Sequence, residues 1–182
     1  LQVSPQAKYI WPAGGDLTGT KECREIVSPS NAGFVKAREP KNGSDQYVVM
    51  VAEGALKGII TAKYLDVKDS TGLSLADKIA GDRGLIVAQV PGVAEAFVKS
   101  VSHIYTDTDL KIAGTYIAMD ADGRENLSVA RGIHSAYNEL AKYNPVSVLS
   151  WDPEQKGIDD ALLAVSRGDI TVADMKVKWG SA

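Results

Sequence analysis

Acidic residues stand directly behind apolar runs at several points along the chain. Glu53-Gly54 follows Tyr47-Val-Val-Met-Val-Ala52, and Asp120-Ala-Asp122-Gly123 follows Gly114-Thr-Tyr-Ile-Ala-Met119. Trp151-Asp152 and then Lys156-Gly-Ile-Asp159-Asp160 follow Val146-Ser-Val-Leu-Ser150. Two carboxylates about 4 Å apart repel by about 4 kcal/mol at an effective dielectric of 20. A fold that gathers them must protonate one, supply a cation or hold them farther apart. Carboxylate oxygens without His or Cys suit a hard ion, and Mg²⁺ takes one or two carboxylates with waters and phosphate oxygens completing its shell. Glu53, Asp120 and Asp122 are the candidates for such a site. Lys57, one helical turn beyond Glu53, is placed either to meet a phosphate or to pair with that glutamate. The plainer alternative stands beside this chemistry: each acid caps the helix that follows it or faces solvent, and Asp159 and Asp160 equally suit an N-cap.

The elements that would position these residues are legible as alternating apolar runs and amphipathic stretches. Strands are predicted at Tyr47–Ala52, Leu85–Val90, Gly114–Met119 and Val146–Ser150. Helices are predicted from Ala55 to about Leu65, from Val93 to about Ile104, from Leu127 to Tyr143 and from Asp159 to Val165. In the long helix, Leu127, Ala130, Ile133, Tyr137, Leu140 and Ala141 are spaced for one buried face, with Asn126 as its N-cap. The polar stretch Asp66–Gly72 predicts a turn-rich insertion running into a short helix, Leu75–Ile79. Continuous apolar strands alternating with helices predict an α/β fold whose parallel sheet is covered on both faces. Ligands in such sheets bind at the carboxyl ends of the strands. Gly54 and Pro91-Gly92 would make sharp strand-to-helix turns there, leaving helix N-termini to face an anion.

Residues 1–45 read differently. Pro and Gly punctuate short segments such as Gly33-Phe-Val-Lys36, which predicts turns and short β segments. Gly14–Lys21 has glycines but lacks the Gly-Lys-Ser/Thr ending of a phosphate loop, so a surface loop is expected. Of the 182 residues, 45% are hydrophobic and 24% charged. That mix excludes a disordered tail, a collagen-like repeat and a disulfide-stapled miniprotein. A chain of this length buries about 70% of its unfolded surface without help from metals or disulfides. Net charge is −3, so no basic nucleic-acid glove is advertised. Cys23 is the single cysteine, which excludes an internal disulfide and suits a reducing, cytoplasmic compartment. No apolar run approaches the roughly 20 residues of a membrane span, and Leu1-Gln-Val-Ser-Pro lacks a signal-peptide pattern. The chain starts on Leu, and the expectation is a piece of a longer protein whose flanking domains carry part of the function.

A strand ending in Glu-Gly, followed further along by a strand ending in Asp-x-Asp-Gly, resembles the Toprim domain of bacterial primases, topoisomerases, nucleases and recombination-mediator proteins. Glu53-Gly-Ala-Leu-Lys57, Val90-Pro-Gly-Val93, Asp120-Ala-Asp122 with Asn126, Trp151-Asp-Pro and Lys156-Gly-Ile-Asp-Asp160 together resemble an uncharacterised Toprim-like family. That family occurs in phage, plasmid and mobile-element replication proteins, beside primase or helicase modules. The resemblance implies a Rossmann-like central parallel sheet of about four strands with helices on both faces. It divides the chain into a loop/β-rich extension at 1–45, a Toprim-like domain at 46–168 and a tail at 169–182.

The resemblance further implies that Glu53 acts as general acid or base, and that Asp120 and Asp122 bind Mg²⁺, for which Mn²⁺ can substitute. Asp159 and Asp160 fall where the subgroup carries a further acidic pair without an assigned role, and Lys57 falls near the phosphate site. The expected function is Mg²⁺-dependent nucleotidyl transfer or phosphodiester cleavage in a primase-like protein acting on DNA or RNA and nucleotides with flanking domains gripping the strand. The alternative is a non-catalytic nucleic-acid-binding, nucleotide-binding or scaffold module on the same fold. Neither the oligomeric state nor the choice between primase and nuclease follows from the sequence. A phosphoacceptor receiver-like domain is disfavoured by the Glu-Gly first strand. His103 and His134 are expected as helix-face residues, Trp11, Trp151 and Trp179 as packing residues, and Ser28, Ser30 and Ser150 lack the setting of a serine nucleophile.

Overall fold

The computed structural model describes residues 33–90, 102–106, 108–121 and 126–179. A short segment expected near Gly33–Lys36 forms β1 (Gly33–Arg38). The four apolar runs form strands as expected, β2 (Gln46–Glu53), β3 (Gly84–Val90), β4 (Lys111–Ala118) and β5 (Val146–Ser150), and Lys176–Trp179, expected as part of a tail, forms β6. Between them lie helices α1 (Ala55–Tyr64), α2 (Leu75–Ala80), α3 (His103–Thr106), α4 (Leu127–Leu140) and α5 (Ile158–Arg167). The helix expected over Val93–Ile104 falls outside the described residues except for its end, which meets α3.

The six strands form one sheet in the order β1-β3-β2-β4-β5-β6. Its centre, β3-β2-β4-β5, is parallel. The edges are not: β1 runs antiparallel to β3, and β6 antiparallel to β5. The fold is therefore α/β with a mixed sheet, wider than the four-stranded parallel sheet expected. The reason is local. Gly33–Arg38 and Lys176–Trp179 return alongside the outermost parallel strands and pair with edges that would otherwise expose unpaired amides.

Alternation along the central strands divides the core. Val48, Met50 and Ala52 of β2 face one layer with Leu85, Leu149, Leu75 and Leu162. Tyr47, Val49 and Val51 face the other with Ile86, Ile117, Ile104 and Leu140. Helices α2 and α5 cover the first face, α3 and α4 the second, and α1 packs against α5 and β3. Every residue of β3 is buried, as a strand covered on both faces must be.

Two of the sequence expectations for α4 divide. Asn126 caps the helix as read, its side chain accepting from the Ser128 and Val129 amides at 3.0 and 3.4 Å. Leu127, expected on the buried face, is 65% exposed, Ala141 is exposed as well, and the helix ends at Leu140 rather than Tyr143. Leu127 occupies the first helical position, while Ile133, Ala136, Tyr137 and Leu140 further along pack on the sheet face. The turn-rich insertion is organised by Asp69, whose carboxylate accepts from the Thr71 amide and hydroxyl, the Leu73 amide and, far along the chain, the Val172 amide at 2.8 Å. These hydrogen bonds, that of Thr71 foremost, hold its pKa down at about 2. Buried Arg38 gathers Asp66 and Asp77 and donates to the Gly81 and Arg83 carbonyls. Among the described residues no helix is long and apolar enough to cross a membrane.

Candidate metal and phosphate site

Three chain segments meet at the carboxyl end of the parallel strands. The register pairs Ala52 of β2 with Ala118 of β4 and Glu53 with Val90 of β3. Glu53 and Asp120 therefore leave neighbouring central strands on the same rim. Gly54 turns the chain from β2 into α1 with φ 85°, in the left-handed region that glycine adopts without a steric penalty, and its amide donates to the Val90 carbonyl at 2.7 Å. That tight turn places Lys57 in the first turn of α1. The third segment is the start of α5, drawn in by the Ala121 amide donating to the Lys156 carbonyl at 2.8 Å.

Lys57 is the centre of the cluster. Its ammonium donates to both oxygens of Asp120, at 2.5 and 2.6 Å. The Asp120 side chain is only 11% exposed and that of Lys57 30%. Burial pushes the Lys57 pKa down, but the Asp120 hydrogen bond and charge, followed by the charges of Asp159 and Glu53, raise it overall. One ammonium is thus bound by the acid just beyond β4 and feels the charges of acids from β2 and α5. The sequence reading offered Glu53 or a phosphate as the partner of Lys57; the carboxylate it holds is that of Asp120, across the strand boundary.

The acidic pair on α5 separates. Asp160 Oδ2 accepts from the Gly157 amide at 3.2 Å, reaching back over the first turn as a helix-capping carboxylate. Asp159 instead leaves Oδ1 buried with no hydrogen-bond partner. Gly157 is what admits this arrangement: a Cβ there would stand 2.3 Å from Asp159 Oδ1 and 3.3 Å from Lys57 Nζ. The motif Lys156-Gly-Ile was visible in the sequence, but a glycine wedged between a carboxylate and an ammonium has no local signature. Gly58 is similar: α1 lies so close to β3 that a Cβ at Gly58 would meet Gln89 Cγ at 2.3 Å. On the solvent side, Asp159 and Asp160 also line an open groove of about 400 Å³ between α1 and α5, with Ile60, Lys63, Tyr64 and Leu163.

Of the other sequence candidates, Asp122 lies outside the described residues, as do Pro91-Gly92, Gly14–Lys21, Cys23, Ser28, Ser30 and Trp11. The side chains of His103 and Trp179 lie outside them too. His134 is exposed on α4 beside Asn138, 3.2 Å away. Trp151 is buried in the core, its indole donating to the Gln155 carbonyl at 2.6 Å, which is a packing role.

The oxygen donors described on this rim are carboxylates, the ligand type that a hard cation takes, though both oxygens of Asp120 are held by Lys57. Asp120 and Asp159 offer carboxylate oxygens, one of them an orphaned buried acceptor. Among the described residues no three acidic, His or Cys side chains are close enough to form a complete protein cage. Mg²⁺ needs no such cage, since phosphate oxygens and waters supply most of its octahedron. Comparison of the chain with family models, with characterised proteins and with solved structures finds no match.

Proposed function

We propose that this chain is a Toprim-like, Mg²⁺-dependent module for nucleotidyl transfer or phosphodiester cleavage, serving a primase-like replication protein of a mobile element. The observation that carries the reading is the direct pairing of Lys57 with Asp120 at the carboxyl end of the sheet, where the charges of Asp159 and Glu53 also raise the Lys57 pKa. An α/β sheet with acids on that rim, two helix N-termini and a lysine has the parts that phosphoryl chemistry uses. Asp120, with Asp122, would hold Mg²⁺, which when bound neutralises charge on phosphate oxygens. Glu53, at the end of β2, would take or return the proton of the attacking or leaving hydroxyl. Lys57 and the first-turn amides of α1 and α5 would orient the phosphate.

One observation favours the second reading, a non-catalytic nucleotide-binding or nucleic-acid-binding module: the Asp120 carboxylate is already neutralised by Lys57. Two assays separate the readings. Nucleotide incorporation on a primed single strand and nicking of a plasmid are measured with Mg²⁺ or Mn²⁺, for the parent and for Glu53→Gln. Activity lost in Glu53→Gln supports catalysis. A parent inert in both assays that still binds a nucleotide with Mg²⁺ supports the binding module, and a parent that does neither overturns both.

A further inference from the structure

The position of Lys57 is electrostatically unusual. It sits in the first turn of α1, where the helix dipole disfavours a cation, and its ammonium lies near Gly157 at the start of α5, a second positive helix end. Partial burial adds a further opposing effect. Among the described residues the acids offset these costs, Asp120 by direct contact and Asp159 and Glu53 through their charges. Without the ammonium the same spot adjoins the first turns of α1 and α5, and helix N-termini are where phosphate groups bind.

We propose that Lys57 is a resident counter-cation that occupies the cation position of Asp120, so that a divalent ion enters only as Lys57 transfers from the carboxylate to a phosphate arriving with the ion. The inference rests on the Toprim-like reading and deepens it: the site selects a metal–phosphate complex over the free metal. Asp120 has both oxygens engaged by one ammonium, so a free ion must displace that ion pair to bind. A phosphate-bearing ligand removes this competition, because it offers Lys57 replacement oxygens at the two helix ends. Asp159 Oδ1, buried and unpartnered, is then the acceptor that keeps Lys57 or the incoming ion in the rim. Metal and phosphate are thereby coupled, and each raises the affinity for the other by the same factor.

The test is calorimetric titration of the full chain with Mg²⁺ alone, and with Mg²⁺ plus the β,γ-imido analogue of ATP, with circular dichroism confirming the fold of each variant. In the parent, free Mg²⁺ binds weakly and the analogue strengthens it. Lys57→Met tightens free Mg²⁺ about tenfold, equivalent to about 1.4 kcal/mol, and abolishes the strengthening by the analogue. Lys57→Arg, which keeps a cation on Asp120, retains the parent pattern and covers the case in which Lys57→Met folds poorly. Lys63→Met removes the same charge from the groove beside Asp159 without touching Asp120, and leaves the Mg²⁺ affinity within about twofold of the parent. If the parent binds free Mg²⁺ as tightly as Lys57→Met, or if Lys63→Met tightens it equally, the counter-cation proposal is overturned while the Toprim-like reading stands. If neither the parent nor Lys57→Met binds Mg²⁺ with or without the analogue, both are overturned.

Discussion

Replacing Gly58 with alanine probes the close approach that aims Lys57 at Asp120. Alanine is normally the better helix residue by about 1 kcal/mol, so Gly58→Ala in the middle of α1 would stabilise an isolated helix. In this fold the added Cβ would stand 2.3 Å from Gln89 Cγ and 2.9 Å from Gln89 Cδ. Gln89 is 6% exposed on β3 between β1 and β2, so its side chain has little room to retreat. Overpacking of this kind typically costs about 1–3 kcal/mol. Subtracting the helical gain leaves a net destabilisation of up to about 2 kcal/mol, or up to about 8 °C in Tm for a chain of this size. Thermal and urea unfolding measure it. A cycle with Gln89→Ala removes the obstacle, so the same Gly58→Ala change should become stabilising by up to about 1 kcal/mol in that background. A Gly58→Ala variant that is more stable than the parent with Gln89 present would refute the close-packing argument.

Breaking the Lys57–Asp120 pair should be asymmetric. Lys57→Met strands a nearly buried carboxylate, whereas Asp120→Asn leaves an ammonium that is one-third exposed and still faces Asp159 and Glu53; chemical denaturation should show the first variant to be less stable by about 1 kcal/mol. Asp160→Asn should cost about 0.5–1 kcal/mol through the weakened cap of α5 and leave Mg²⁺ binding unchanged, while Asp159→Asn should change Mg²⁺ binding measured by calorimetry. Asp69 and Asp77 have folded pKa values near 2, below the ordinary 3.8, through hydrogen bonds from Thr71 and from Lys68 respectively. Their contribution to stability is full above the ordinary value and is lost as pH falls through about 4 toward 2. Asp69→Asn should flatten that part of an acid-unfolding curve. At net charge −3 the chain by itself should bind single-stranded DNA weakly, with affinity falling steeply between 50 and about 200 mM salt in a fluorescence-anisotropy titration.

The central strands were legible because burial on both faces leaves a continuous apolar run; Val146–Ser150 is the strand read from sequence. The edge strand Lys176–Trp179 was not, because Lys-Val-Lys-Trp has an alternation too short to separate from a tail. Its strand character comes from pairing with β5, a contact distant in sequence. That Glu53 and Asp120 leave the same rim was legible for the same reason as the strands, since both stand at the ends of central parallel strands. The partner of Lys57 was not, because periodicity reports neighbours on one helix, and Asp120 is 63 residues away. Asp159 and Asp160 were indistinguishable as adjacent carboxylates. On a helix they diverge by about 100°, which gives one to the Gly157 amide and turns the other inward.

Paramagnetic broadening by Mn²⁺ locates the cation most directly. Backbone amide resonances of the full chain are recorded while Mn²⁺ is added substoichiometrically in the presence of the imido analogue of ATP. The proposed site requires the signals of Glu53 through Lys57, Met119 through Ala121 and Gly157 through Asp160 to broaden first, with Gln46, Lys111 and Val146 at the opposite ends of their strands unaffected. Broadening centred on Gln46 and Lys111, or spread evenly along the chain, would contradict a metal site at the Asp120 rim.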